Sequence, residues 1–470
     1  MTVARRRRWL LWIPLLLGLL AAATAAVGTW LYRELGRSPG ELLDYVDHRL
    51  LGHPKLEALA AGPIGALRDA FDAPSAAERL RTPFEVPPPP PRRGPADIAP
   101  AEPVPAGAKV LRVGRSGDFP APSAVARLAQ DGDIVEIEAG DYRGDVALWE
   151  QKRLTIRGVG GAARLFADGQ SAEGKAIWVI RNGQFDISNI DFVGARVSDG
   201  NGAGIRFEAG RLHVRDCLFW DNQMGLLTGG GPGPAADAVL EVQGSEFAYS
   251  HVDGRWGHNL YVGALASVTV RGIYSHHAGR GHLLKSRARR SEVMYSRFSD
   301  ETGGRASYEL DFPNGGVVRV LGNVLQQQPG TDNSAMIAYG EEGYAWPENR
   351  LAVASNTLVN DLPHGGSFIF AAPGAQQLVS ANNLLVGPGV QRAKGLQAFN
   401  DQHADWGALE RPGRQDWRPR AGAPGLGWRE PPAELGGAAL VPRAAYRHPR
   451  AVQPLDGPPR TVGGLPAPPP

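Results

Sequence analysis

From about residue 109 the chain settles into short segments in which apolar and polar positions alternate, the mark of strands with one face buried. Several segments share one pattern: two alternate apolar residues, a small or polar residue, then another apolar residue. Phe185-Asp186-Ile187-Ser188-Asn189-Ile190-Asp191-Phe192, Leu212-His213-Val214-Arg215-Asp216-Cys217-Leu218-Phe219 and Leu240-Glu241-Val242-Gln243-Gly244-Ser245-Glu246-Phe247 show it, and the runs 318–325 and 351–358 continue it. Phe192, Phe219 and Phe247 recur at intervals of 27 and 28 residues. A fixed period marks a repeat architecture. One unit of this size cannot bury its apolar face alone, whereas stacked coils bury a continuous core. The reading is an all-β chain folded as a parallel β-helix, with a coil of about 22 to 30 residues. Asn323 and Asn356 fall at matching turn positions and are expected to hydrogen-bond from coil to coil, satisfying buried turn backbone. A β-sandwich would supply the strands but neither the period nor the repeated turn.

The ends read differently. Residues 1–8 carry the cluster Arg5 to Arg8, and 9–32 form an uncharged stretch bounded by Trp9, Trp12, Trp30 and Tyr32. That length spans a hydrocarbon core of about 30 Å as a helix. The arginines before it predict a bacterial inner-membrane protein with its N-terminus in the cytoplasm and the remainder in the periplasm. The small residues Ala21 to Ala26 offer the alternative, a signal peptide that is cleaved to release a secreted protein. Residues 33–85 read as a short helical stalk, with Leu42, Leu43, Val46, Leu50 and Leu51 at helical spacing and a second helix holding Leu56, Leu59, Ile64 and Leu67. Residues 86–108 are Pro-rich and read as a semi-rigid linker. The solenoid is expected over 109–390, and the Pro/Gly/Arg-rich 391–470 as irregular wrapping with a disordered tail.

Composition removes some functions. Net charge is +2, so nothing global favours nucleic acid. The single cysteine, Cys217, excludes an internal disulfide and a multi-cysteine zinc site, and its strand context reads as a packed thiol.

The entry to the solenoid is distinctive: Ala124-Val125-Ala126-Arg127-Leu128-Ala129-Gln130-Asp131-Gly132-Asp133-Ile134-Val135-Glu136-Ile137, then Ala139-Gly140-Asp141-Tyr142-Arg143-Gly144 and Leu154-Thr155-Ile156-Arg157-Gly158. Through these, residues 109 to about 390 resemble the pectate-lyase-like right-handed parallel β-helix superfamily. The resemblance implies a short capping helix, right-handed coils and a polysaccharide ligand. It does not fix the chemistry, because the superfamily holds lyases, hydrolases, epimerases and non-enzymatic adhesins.

One stretch is polar where coils should be bland. Aligning Gly257 to Val262, Gly281 to Ser286 and Ser307 to Phe312 by Leu260, Leu284 and Leu310 points the leucines inward and stacks Tyr261, Lys285 and Asp311 outward, about 4.8 Å apart. Asn259, Leu283 and Glu309 are expected beside that column, and Arg206 two coils earlier. Elimination from a uronate polymer needs a base, a group that neutralises the carboxylate and a proton donor. Lys285 is the candidate base, helped by Arg280 and Arg287, since lysine needs a lowered pKa. Tyr261 or Arg305 is the candidate donor. Asn259, His282, Tyr308, Arg206 and Asn314 are candidate substrate contacts. Glu309 and Asp311, two carboxylates at i and i+2, are candidate ligands for Ca2+, and related β-helix lyases with a calcium-bridged carboxylate imply a similar option. His258 and His282 share a register that reads as inward. His276-His277 lacks a metal-binding helix motif around it. Three readings stay open: a lyase acting on an acidic polysaccharide, a glycoside hydrolase using Glu309 and Asp311, and a non-catalytic glycan-binding or scaffold protein of envelope polysaccharide assembly.

Overall fold

A computed structural model describes residues 43, 54–71, 83–229, 237–331, 333–362 and 365–467. The chain divides into two units, Met1–Pro83 and Phe84–Pro470. In the first, the expected second helix is present as Pro54–Ala70, with Pro63 inside it. Leu56 and Leu59 are exposed on it, so the apolar spacing does not mark a buried stripe there. The expected first helix (Leu43 aside) and the expected span at 9–32 lie outside the described residues. Among the described residues no helix is long and apolar enough to cross a membrane.

The second unit is a parallel solenoid. Each full coil contributes three strands, for example Arg211–Arg215, Leu218–Trp220 and Met224–Thr228. Each strand pairs in parallel with its counterpart one coil on: Leu212 with Leu240, Phe219 with Phe247 and Leu226 with Leu260. Two of the three faces join through the long strand Arg153–Phe166, and the third is a separate ten-stranded sheet.

The repeated sequence pattern is two strands and the bend between them. Phe185 to Phe192 divides into Gln184–Ser188 and Ile190–Val193. The bend residue has positive φ in coil after coil: Asn189 at 59°, Asp216 at 50°, Gly244 at 57°, Gly322 at 69° and Ser355 at 51°. That conformation is sterically costly for bulky residues, which explains the small or polar residue at this point of the pattern. The residue after the bend builds the expected ladder. Asn323 Nδ2 donates to Asn356 Oδ1 at 3.0 Å and Asn356 Nδ2 to Asn383 Oδ1 at 3.0 Å. Asp401 closes the row by accepting from the Asn383 amide at 2.8 Å.

Inward apolar residues form one continuous core. Phe192, Phe219 and Phe247 stack with centroids 5.1 and 4.5 Å apart, and such pairs add about 0.5–1.5 kcal/mol beyond their buried area. Cys217 is fully buried, and burial pushes its thiol up to about 12.

The flanking segments are more ordered than their composition implies. The Pro-rich stretch is extended, as proline dictates, but it lies along the coils. Pro87 O accepts from Trp220 Nε1 at 3.0 Å, Arg93 Nη2 pairs with Asp191 Oδ1 at 2.6 Å, and Ala99 O accepts from Asn189 Nδ2 at 3.2 Å. The ladders also run past residue 390, through Val390–Ala393, Gln397–Phe399 and Gln402–Ala404. Beyond them Leu409, Trp417, Leu426, Tyr446 and Val462 pack on Val324, Val359, Leu384 and Val386. The Gly464 amide reaches Thr357 Oγ1 at 3.0 Å. The expectation of a disordered tail is therefore corrected as far as residue 467: scattered apolar residues clamp the segment to a sheet face without any period to announce it.

Candidate functional site

The polar coils use the ten-stranded sheet, through Leu260–Val262, Leu284–Ser286 and Leu310–Phe312. Leu226, Leu260, Leu284 and Leu310 are fully buried in the core. Tyr261 pairs with Lys285, and Lys285 with Asp311. Leu227 precedes Tyr261 and Arg206 precedes Leu227, so Arg206 lies in the same column two coils earlier.

Simple alternation fails one step before each strand. Residues 259, 283 and 309 are bends rather than strand, so they and the following leucines all turn into the solenoid. Leu283 joins the core, and a Cβ at the preceding coil's Gly225 would meet the Phe247 ring at 2.9 Å. Asn259 is fully buried, and its Nδ2 donates to Phe247 O, Ser275 Oγ and His276 O at 2.9–3.2 Å. Glu309 is fully buried, and neither of its oxygens has a hydrogen-bond partner among the described residues. Burial, reinforced by Asp300, holds its carboxyl well above the ordinary value. Two expectations are corrected here: Asn259 is a structural amide inside the coil, and Glu309 is an interior carboxyl rather than a metal ligand beside Asp311.

The same bends send the residue before them outward. His258 reads onto Met224, whose sulfur lies 3.3 Å from the His258 amide. The His258 and His282 rings stand 4.7 Å apart, and His282 and Tyr308 5.0 Å apart. The histidines are therefore not core residues: with Tyr308 they form a second outward column beside Tyr261, Lys285 and Asp311. His258 Nδ1 accepts from the His282 amide at 2.9 Å, which leaves the proton of the neutral ring on Nε2. Burial first, then His282, Lys285 and Arg287, push His258 well below its ordinary value.

Charges interlock across the columns. Lys285 Nζ lies 3.0 Å from Asp311 Oδ2 and 3.0 Å from Glu342 Oε1. Arg287 reaches Glu342 at 2.7 Å, donates from Nε to Tyr261 Oη at 3.0 Å, and bonds Asn314 Oδ1. His282 Nδ1 stands 3.0 Å from Asp311 Oδ2 without completing a hydrogen bond there. Burial alone would raise the Asp311 carboxyl; His282 and Lys285 outweigh it and hold it below the usual value. Glu342 is likewise lowered against its partial burial by Arg287 and Lys285. An ammonium that donates to Glu342 and is ion-paired with Asp311 has no lone pair with which to accept, so Lys285 is a charge-neutralising group in this arrangement and not a ready base.

Tyr308 donates to Glu341, and Arg305 lies 5.8 Å from the Phe84 ring. Arg206 makes no hydrogen bond or ion pair among the described residues, and its Nε is buried without a partner. Burial lowers its ordinary value against Glu208 and Asp199, yet a guanidinium stays charged. His276 belongs to another face, 3.4 Å from Glu246. The sequence reading missed His258 as an outer residue, and it missed Glu341 and Glu342. Those glutamates follow Ala335–Tyr339, the strand paired with Leu310–Phe312, and Gly340-Glu341-Glu342-Gly343 was the available signal.

The calcium expectation does not suit this donor set. Of its two carboxylates, Glu309 points into the solenoid and Asp311 is already held by Lys285 and His282. Among the described residues no group of three or more His, Cys, Asp or Glu converges on one point.

Comparison with solved structures decides the fold. A pectate lyase, Pel9A, superposes with a TM-score of 0.50 at 11% identity, covering 77% of this chain and 98% of that one. The fold is the pectate-lyase-like right-handed parallel β-helix. A pectin methylesterase from Aspergillus niger (TM-score 0.28, 10% identity, 64% of this chain and 84% of that one) and a PL6 family alginate lyase, AlyGC (0.25, 13%, 62% and 49%), are more distant. No family model matches the sequence, and no curated protein does.

Proposed function

We propose that this β-helix cleaves an acidic polysaccharide by β-elimination in the groove over Tyr261, Lys285 and Asp311. The observation that carries the reading is the pair of outward columns, in which positive charge, an imidazole and a phenol converge on one strip of sheet. Three groups match the three needs of the reaction. Lys285 and Arg287 meet the uronate carboxylate in place of Glu342, a carboxylate whose side chain is 46% exposed and which the substrate's own carboxylate replaces. His282, backed by Asp311, takes the proton next to that carboxylate. Tyr261 accepts from Arg287 Nε and so keeps its own O–H to protonate the leaving glycosidic oxygen. The C–H and C–O bonds break, a C=C bond forms, and no water enters. The pectate lyase of the same fold supports a polyuronate as substrate. The cluster Arg5 to Arg8 and the apolar run behind it support work at the periplasmic face of the inner membrane.

The test is turnover on pectate, alginate and glycosaminoglycans, read as ultraviolet-absorbing unsaturated ends. Lys285→Ala, His282→Ala and Tyr261→Phe should each lose about 100-fold or more. Absence of unsaturated product across that panel ends the lyase reading. New reducing ends without unsaturation would mean hydrolysis. The closed ion pairs of Lys285 and Arg287 favour one second reading, a glycan-binding protein without turnover, for which binding would persist in Tyr261→Phe with no product from either protein.

A further inference from the structure

Trp256 is the one tryptophan more than half exposed among the described residues, at 54%. A single exposed aromatic is ordinary on a protein surface; what distinguishes this one is its place in the fold. Trp256 stands two residues before His258, and Arg280 stands two residues before His282. The two therefore occupy the same point on successive coils, next to the outward histidine column. Arg280 Cζ lies 5.5 Å from the Trp256 ring centroid.

The support beneath the ring is firm. The turn that carries it is closed by the Val252–Arg255 bridge, with the Arg255 amide donating to Val252 O at 3.1 Å. Arg255 Nη1 also ties the turn to the preceding coil through Asp199 O at 2.9 Å. A turn held in this way presents its aromatic ring at little entropic cost on binding.

We propose that Trp256 is a sugar-stacking platform at the rim of the groove, with Arg280 beside it to meet the carboxylate of the stacked residue. The inference rests on the acidic-polysaccharide reading and deepens it: the ligand is a uronate of the bound chain outside the reacting pair, and Trp256 sets affinity and chain-length preference without touching the reacting atoms. Arg280 lies over one face of the indole, so the opposite face takes the C–H face of a sugar ring. The neighbouring guanidinium distinguishes an acidic sugar from a neutral one.

The experiment uses the full chain with oligouronates of two lengths, di- and hexasaccharide, and compares wild type, Trp256→Ala and Trp256→Phe. Trp256→Ala should raise KM for the hexasaccharide about tenfold with kcat within twofold, the loss expected of one aromatic anchor. The disaccharide should be unaffected, and Trp256→Phe should recover most of the loss. Equal KM for wild type and Trp256→Ala on the hexasaccharide overturns the platform and leaves the lyase reading standing. If wild type shows no turnover, calorimetric binding of the hexasaccharide replaces KM. Weaker binding by Trp256→Ala then supports the platform although the lyase reading has failed, and equal binding, or none by any of the three proteins, overturns it.

Discussion

The ten-stranded sheet carries two different surfaces on one backbone. Over the early coils its outward columns read Leu148, Val179, Arg206, Leu227 and Ala176, Ala203, Met224. Over the middle coils the same columns read Tyr261, Lys285, Asp311 and His258, His282, Tyr308. Register is continuous between the two, and apart from Leu148, Arg206 and Tyr261 these side chains are largely buried, Leu227 at 5%, Lys285 at 8% and Asp311 at 2%. The inward face does not change: Leu226, Leu260, Leu284 and Leu310 follow one another in the core. Inward positions thus specify the solenoid and outward ones are free to specify chemistry. Buried charge costs several kcal/mol per ion before pairing repays it; the middle coils bear this at Lys285 and Asp311, and the early columns bear it only at Arg206.

The largest expected effect tests the shared inward face. Phe219→Ala removes the centre of the Phe192–Phe219–Phe247 stack and should cost about 3–5 kcal/mol, read by chemical denaturation of the purified protein. A much smaller loss would mean that the coils can collapse onto the gap. Next comes the middle surface itself. Lys285→Met leaves Asp311 buried and facing only His282, and should destabilise by about 3 kcal/mol as well as abolish turnover. The double change Lys285→Met/Asp311→Leu should recover stability but not activity. Recovery of both would remove the pair from the mechanism.

Glu309→Gln separates the interior of the middle coils from their surface. The Glu309 carboxyl is raised in the folded state by burial and by Asp300, so folding retains a proton that the unfolded chain releases near its ordinary carboxylate value. The stability it contributes is complete below that value and is lost as pH rises toward the folded one. The limiting slope is about 1.4 kcal/mol per pH unit for one proton. Denaturation midpoints of wild type should therefore fall relative to the Gln variant as pH rises above the ordinary carboxylate value. Parallel pH profiles would show that Glu309 is ionised in the fold.

These two regions also divide what sequence makes legible. The stacked phenylalanines and the asparagine ladder were readable because period and turn pattern repeat in the chain. The register of Tyr261, Lys285 and Asp311 followed from aligning three leucines, and Arg206 from extending that column. Asn259 and Glu309 were misplaced because alternation assumes extended backbone, and the bend before each strand turns two successive residues inward. The same bend hid His258 and His282 as surface residues. Glu342 was missed for another reason: its Gly-flanked turn stands out, but nothing in the chain links it to Lys285, 57 residues earlier. The C-terminal segment packs through isolated residues such as Trp417 and Tyr446, and no spacing rule links them.

The smallest effect asks whether the early surface is scaffold alone. Val179 is fully buried, outward, and one coil before Arg206 in the first column. Val179→Thr keeps the shape and adds one hydroxyl to an apolar cluster with Ala203, Met224 and Leu227. An unsatisfied buried hydroxyl should cost about 1 kcal/mol, visible as a small shift in denaturation midpoint. If the early coils only support the middle ones, kcat/KM stays within twofold, because no group that meets the substrate has changed. A fall in kcat/KM larger than this stability loss can produce would place the bound glycan over Val179 and Arg206 as well. The contrast between a bland region and a chemical one would then become a contrast between binding and reaction along a single groove, and Arg206, charged and without a partner among the described residues, would be its first carboxylate contact.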